Sequence, residues 1–346
     1  MITIEIKNKN IMITMNREID YMKFSILIPV YNDEKYIKKT LLSALNQTYE
    51  KIEIIIINDG STDNSGNIIN QIAKTDNRIR VINQENRGIC YTRDKLINEM
   101  KGDYAIFLDG DDFIEEDCCE ILNNVLKEND VDLITFDYNI IYLDGIVSKS
   151  KNDSQITKIK GDKAAIEFLY QNPFYDMVLW RRCYSKWLLK NIKFKDNFIP
   201  EDYYTAFRIY NLAKNVVHIS KILYNYRARR NSLSKRKNFA ELYNNFLVLK
   251  DVNNFELKYL KNRSDKKRAN TTYANAMMDI YSQIYDLDEI INKNLIKEIK
   301  NAIFSMNIIE VENRTRLLLI MFRIDKKLVC KILKSHRRKK FKRRNS

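Results

Sequence analysis

The chain has 346 residues, 45% of them hydrophobic and 30% charged, with 60 Lys and Arg against 45 Asp and Glu for a net charge of +15. That is enough to bury a substantial core as one large domain plus an appendage, whereas the longest apolar run, the six residues 317–322, is too short to cross a bilayer, and no secretory signal is visible. Five cysteines without a CxxC pair and only two histidines, His218 and His336, give a zinc site no support and fit reduced, buried thiols.

The charge is uneven. Residues 323–344 hold twelve Lys or Arg and one Asp, a local +11 that leaves the remainder only mildly basic at +4, so the tail needs its own explanation.

In chain order, the first 22 residues, with internal methionines at Met12, Met15 and Met22, read as a loosely ordered extension. Residues 24–30 (FSILIPV) form a short apolar run closed by Tyr31-Asn32-Asp33, the pattern of a buried strand. Asn32 or Asp33 is placed to cap the next helix, whose Ile37, Leu41, Ala44 and Leu45 share one face. Residues 52–57 make a second strand ending in Asn58-Asp59-Gly60-Ser61-Thr62-Asp63, and Ile68, Ile69 and Ile72 lie on a second helix. A third strand at 79–82 is followed by Asn86-Arg87-Gly88, which opens a helix carrying Leu96, Ile97 and Met100. Residues 104–108 are a fourth strand, and Ile121, Leu122, Val125 and Leu126 a fourth helix.

Four strand–helix alternations predict an α/β fold with a mainly parallel sheet covered on both faces. Residues 131–136 add a strand, and 140–147 read as a hairpin about Asp144-Gly145. All seven glycines lie at or before Gly161, and from Phe239 onward the pattern is helical. The expected divisions are an extension at 1–22, the α/β domain at 23–235, a helical region at 236–322 and a basic tail at 323–346.

The fourth strand runs into Asp109-Gly110-Asp111-Asp112. Asp-Gly is an ordinary turn dipeptide. Three carboxylates this close nevertheless repel one another unless a cation lies between them, and oxygen ligands on a rigid strand end suit Mg²⁺ or Mn²⁺. In an open α/β sheet the C-terminal strand ends line the ligand crevice, so the acids after the first, second and fourth strands share one edge. Asp59-Gly-Ser-Thr-Asp63 is either a capped turn or a loop whose acid accepts a hydrogen bond from a base N–H. Neither acidic loop is an EF-hand: Phe113 and Ile114 stand where the first needs an oxygen ligand and Gly, and Asn64 and Asn70 break the second. No P-loop or GxGxxG occurs. Pro200-Glu201-Asp202 places two acids at a helix start, which the macrodipole alone favours. Tyr224-Asn-Tyr-Arg-Ala-Arg-Arg-Asn-Ser232 is either a basic edge strand and loop or a cationic clamp for phosphate.

Together these motifs resemble the family 2 glycosyltransferases, the inverting enzymes of GT-A fold in bacterial surface-polysaccharide and cell-envelope assembly. Residues 25–32 (SILIPVYN), 58–63 (NDGSTD), Asn86-Arg-Gly88 with Arg93, and 107–112 (FLDGDD) carry the resemblance, with Trp180, Glu201-Asp202 and residues 224–232 as looser landmarks. It covers about residues 23–235. Two positions depart from the family pattern: Asp94 where Asn is usual, and Gly110 where Ser or Ala is commoner.

The resemblance implies roles. Pro29 and Tyr31 would flank the nucleotide base, and Asp59 would receive its N–H, which favours uridine. Arg93 would lie near the diphosphate, Asp109 near the ribose, and Asp111 would bind the Mn²⁺ or Mg²⁺ that bridges the phosphates. Asp202 matches the general base, and Arg227 and Arg229 lie where the diphosphate clamp is expected. The expected reaction moves a sugar from a UDP-sugar to a glycan or lipid-linked glycan acceptor, in the cytoplasm at the inner face of the plasma membrane. Two other readings are a nucleotidyltransferase, whose Gly-rich loop after the first strand is missing from residues 28–33, and a nucleic-acid-binding protein driven by the tail. Phe341 alone interrupts the terminal charges, so the tail lacks the aromatic interleaving of a single-strand binder, and no nucleic-acid partner is expected.

If residues 317–334 are one helix, Arg323, Lys326, Lys327, Lys331 and Lys334 fall within an arc of about 140°. Leu317, Met321, Ile324, Leu328 and Ile332 gather on another side. Such a helix either docks on the protein through its apolar stripe or lies in the interface of an anionic membrane.

Overall fold

The computed structural model describes residues 2–7, 10–15, 22–142, 145–148, 153–194, 201–228, 239–287 and 293–344. The α/β core alternates as expected: β3 (Phe24–Val30), α1 (Ile37–Leu45), β4 (Ile52–Asp59), α2 (Ser65–Ala73), β5 (Ile79–Gln84), α3 (Ile89–Glu99) and β6 (Tyr104–Phe107). Strands β6, β3, β4 and β5 lie side by side and parallel, so the loops leaving their C-terminal ends share one edge. Alternation assigns the two faces. Ile52, Ile54 and Ile56 of β4 point to the side packed by Ile37, Leu41 and Leu122, and Ile55 and Ile57 to the side packed by Leu96 and Phe207. Each such fully buried aliphatic side chain contributes about 1.5–3 kcal/mol.

Beyond β6 come β7 (Phe113–Ile114), α4 (Cys118–Glu128), β8 (Leu133–Tyr142), β9 (Gly145–Ser148), β10 (Ile156–Lys160), α5 (Gly161–Leu169), β11 (Arg182–Ser185), α6 (Lys186–Lys190), α7 (Glu201–Leu212) and β12 (Asn215–Arg227). Strands β8 and β9 pair antiparallel, as the hairpin reading expects, with its turn residues 143–144 outside the described residues. The sheet order is β10-β12-β8-β11-β6-β3-β4-β5. Strand β11 is antiparallel to both neighbours, β6 and β8, and so interrupts the parallel run in a way the sequence did not suggest. Strand β12 is internal, not an edge: it lies between β10 and β8, and its end also pairs with β7.

The helical region comprises α8 (Phe239–Tyr259), α9 (Arg263–Tyr285), α10 (Lys293–Ser305), a 3₁₀ turn at Ile308–Glu310, α11 (Asn313–Ile324) and α12 (Lys326–Arg344). The expected boundary at residue 235 lies outside the described residues. At the N-terminus, where the sequence suggested little order, β1 (Ile2–Lys7) and β2 (Asn10–Met15) pair antiparallel. All five cysteines are free and buried.

The tail is not one continuous helix. Asp325 leaves α11 with φ −138° and ψ 95°, and its Oδ1 accepts from the N–H groups of Lys327 and Leu328 to start α12. The face that docks carries Leu319, Phe322, Val329 and Cys330, whereas Leu317, Ile324 and Leu328 of the expected stripe are exposed.

Candidate active site

The loops after β3 and β4 are laced together. Asn32 takes a left-handed conformation at φ 56°; its N–H donates to Ser61 Oγ (3.1 Å) while its Oδ1 accepts from Thr62 N–H (2.8 Å). Asp33 N–H donates to Ser65 Oγ (2.8 Å), Glu34 N–H donates to Asp63 Oδ2 (3.0 Å), and Asn64 N–H donates to Glu34 Oε2 (3.0 Å) across the same gap. Tyr36, rather than Asn32 or Asp33, is the N-cap of α1, and the Asp33 carbonyl accepts from the N–H groups of Tyr36 and Ile37. These side chains are spent on joining two loops.

Asp59, 4% exposed, organises the third loop. Its oxygens accept from the N–H groups of Arg87 (2.8 Å) and Gly88 (2.9 Å) and from Gln84 Nε2 (2.8 Å). With about four lone-pair sites on a carboxylate, one acceptor position is left for a ligand. Gly60 is required beside it: φ is +69°, and a Cβ would lie 2.6 Å from Asn86 N.

The three carboxylates after β6 have separate fates. Asp112 is fully buried, accepting from Arg227 N–H (2.7 Å) and Tyr224 Oη (2.9 Å). Burial, then the charges of Asp111 and Asp109, push its carboxyl well above the usual range. Asp109 pairs with Arg93 Nη2 at 3.4 Å, and its N–H donates to Tyr224 Oη. Asp111 is half-buried. Arg93 thus offsets the charge of Asp109, and hydrogen bonds from Arg227 and Tyr224 hold Asp112. The loop is further clamped by Thr40 Oγ1, which reaches the carbonyls of Gly110 (2.9 Å) and Asp112 (2.7 Å). Gly110 also has a reason: a Cβ there would collide with Asp33 Oδ2.

Arg93 links this loop to α7. Its side chain is 4% exposed, and its Nη1 lies 3.3 Å from Asp202 Oδ1 while Nη2 holds Asp109. Asp202 sits in the first turn of α7. Asp94, beside Arg93, accepts from Phe194 N–H (3.2 Å) on the segment approaching α7, which gives that departure a positioning role.

The cationic side is built by β12 and α1. Arg227 Nη1 donates to the Asp111 carbonyl, and its guanidinium stacks 4.7 Å from the Tyr36 ring centroid. Lys39 lies 3.7 Å over Phe113; partial burial, then the charge of Arg227, lowers its pKa. Trp180 stacks on Tyr224 and Tyr226 with centroids 4.7 and 5.3 Å apart, backing the loop with a rigid aromatic wall.

The predicted residues therefore converge in part. Arg93, Asp109 and Asp202 are in direct contact, Arg227 meets the backbone of Asp111, and Asp59 joins them through the Arg87–Gly88 loop. Pro29 is buried in β3 and Tyr31, 51% exposed, stands just past its end. Arg229 and the side chain of Glu201 lie outside the described residues. The sequence reading missed Thr40, Lys39 and the burial of Asp112. Thr40 left a signal, as a polar residue in the apolar stripe of α1.

Among the described residues no three His, Cys, Asp or Glu side chains converge as a preformed metal cage. The residues fit a site completed by substrate: Mg²⁺ and Mn²⁺ are commonly held by one or two carboxylates with phosphate oxygens and water, and half-buried Asp111 beside a basic wall suits that mode.

Residues 25–184 match the family described as Glycosyl transferase family 2. EpsH of Bacillus subtilis, a putative glycosyltransferase, is 32% identical over 66% of this chain and 67% of its own length. The chain is a family 2 glycosyltransferase. The glycosyltransferase GlyA of Streptococcus pneumoniae is 34% identical over 62% of this chain, but the match spans only 32% of GlyA. Among solved structures, S. aureus TarS 1–349 in complex with UDP-GlcNAc superposes with a TM-score of 0.72 at 19% identity, covering 92% of each chain. That likeness establishes the GT-A fold of this glycosyltransferase.

Proposed function

We propose that this glycosyltransferase moves a sugar from a UDP-sugar to a hydroxyl of a glycan or lipid-linked glycan in surface-polysaccharide assembly, with inversion and with a divalent ion. The observation that carries the reading is the Arg93 bridge, which sets the acidic loop after β6 and the first turn of α7 in one site. That TarS, of like fold, binds UDP and UDP-GlcNAc supports the donor class.

Asp202 accepts the proton of the acceptor hydroxyl, a contribution typically worth about 10²–10⁴ in rate. The freed oxygen attacks the anomeric carbon opposite the leaving group, the bond from that carbon to the diphosphate oxygen breaks, and UDP departs. Arg227, with Lys39 and Arg229 as further cations, stabilises the charge that builds on the diphosphate. Asp59 accepts the base N–H at its remaining lone pair, Pro29 and Tyr31 flank the base, and Asp109 faces the ribose. Asp111 would hold Mn²⁺ or Mg²⁺, which supplies Lewis-acid stabilisation of the leaving group when bound.

No helix among the described residues is long and apolar enough to cross a membrane. The exposed Leu317, Ile324 and Leu328, close to the twelve basic residues of 323–344, support peripheral attachment to an anionic inner leaflet. The anomeric configuration of the product tests the chemistry: an α-configured donor should give a β-linked product by NMR. An α-linked product would overturn inversion.

A further inference from the structure

The helical region holds a cleft of ≈ 550 Å³ walled by α8, α9 and α10, within the roughly 300–1,000 Å³ of small-molecule sites and built from none of the active-site residues. Its lining includes Asn253, Asn270 and Asn301 and Tyr273, one or more from each helix. A carboxamide offers a donor and an acceptor side by side, which matches the neighbouring hydroxyls of a sugar, and an aromatic ring offers a face for its C–H groups. Lys250 is outnumbered by Glu298 and Glu310, so the cleft carries no cationic excess that would select phosphate or a nucleotide.

Asn253 gives the second, independent observation. It is 7% exposed, its Nδ2 makes only a long contact to Asn270 Oδ1 at 3.5 Å, and its Oδ1 has no hydrogen-bond partner among the described residues. A buried acceptor of that kind asks for a donor, and a turn of the carboxamide toward the cleft would let a ligand hydroxyl supply one. The wall is also coupled to the catalytic side. Arg208 on α7 bonds Asp251 on α8 at 2.8 Å and stacks 4.1 Å from Phe255, so the helix that begins with Asp202 is tied to the helix that carries Asn253.

We propose that this cleft is a second saccharide site, binding a neutral segment of the acceptor glycan away from the hydroxyl that reacts; its identification with the acceptor rests on the glycosyltransferase reading above. The test uses the full chain with a panel of neutral mono- and disaccharides of glucose, galactose, GlcNAc and GalNAc, read by saturation-transfer NMR. Asn301→Leu and Tyr273→Ala each alter the cleft wall, and Asp202→Asn and Asp59→Asn alter the active site. The expected result is that at least one saccharide binds, that each cleft substitution weakens it about tenfold or more with UDP affinity unchanged, and that neither active-site substitution does so. Failure of every saccharide to bind, or binding indifferent to both cleft substitutions, or binding lost in Asp202→Asn, would overturn the proposal. Cleft-dependent saccharide binding in a protein that does not bind UDP would contradict the donor assignment and leave the saccharide site standing.

Discussion

Arg93 and Asp202 are 109 residues apart in sequence, yet Arg93 Nη1 lies 3.3 Å from Asp202 Oδ1. The same guanidinium reaches Asp109 at 3.4 Å, so one buried side chain sets the spacing between the strand that would meet the donor and the helix that would activate the acceptor. Lysine keeps the charge but lacks the planar guanidinium that holds the two carboxylates on separate nitrogens. Arg93→Lys should therefore lower kcat by about 10²-fold, the scale of an ångström's misplacement, with the affinity for UDP little changed. Asp202→Asn should be more damaging still, while Glu201→Gln should stay near wild type. If Glu201→Gln proves the worse of the two, the base has been assigned one residue too far along.

Gly110→Ala tests why glycine stands among the acids. The added methyl would collide with the Asp33 carboxylate, which is itself buried. Overpacking of that kind costs about 1–3 kcal/mol, and relieving it displaces the loop that carries Asp111. Thermal denaturation should show the destabilisation, with a loss of turnover beyond what the unfolded fraction explains. Unaltered stability and rate would mean the loop yields freely.

Glu256 on α8 is buried, and burial pushes its carboxyl up to about 8 despite the opposing charge of Arg208. Between the unfolded value near 4.3 and about 8, the folded chain keeps a proton that the unfolded chain releases. Stability should fall as pH rises through that window, by at most about 1.4 kcal/mol per unit. Glu256→Gln removes this slope, so its melting temperature should exceed that of the wild type at pH 8 and approach it at pH 5. A difference independent of pH would contradict the assignment.

The basic tail calls for a shorter deletion than its charge pattern suggests. Val329 and Cys330 are buried, and Arg337 pairs with Asp279 and Asp286, so removing all of 323–346 would open the helical core. Deleting 338–346 removes six Lys or Arg and spares those contacts. At about 1 kcal/mol for each basic residue near an anionic surface, the shortened chain should stay in the supernatant of anionic liposomes that sediment the full one. Equal sedimentation of both would assign the tail another role.

Much of the α/β core was legible because it rests on local patterns. The isoleucine runs of β3 and β4 and the apolar stripes of α1 and α4 are fixed by burial on the two faces of one sheet. Strand β11 was not legible: Arg182–Ser185 is four residues long and begins with a buried arginine, on which Tyr210 stacks at 4.6 Å and whose guanidinium donates to Tyr210 Oη and the Asp176 carbonyl. The tail misled for a similar reason. A helical wheel assumes continuity, and Asp325 ends one helix and caps the next. In the candidate site the acids were visible as a cluster, but their division into one paired, one buried and one half-buried carboxylate depends on Arg93, Tyr224 and Arg227, which arrive from distant parts of the chain.

The most direct measurement is release of the nucleoside diphosphate from a panel of UDP-, GDP- and CDP-sugars, with Mn²⁺ or with EDTA, by the wild type and by Asp111→Asn. The account predicts turnover of at least one UDP-sugar and none of the others, abolished by EDTA and by Asp111→Asn while the melting temperature holds. Turnover of a GDP- or CDP-sugar alone would contradict the uridine donor, and full activity in EDTA would contradict the role given to Asp111.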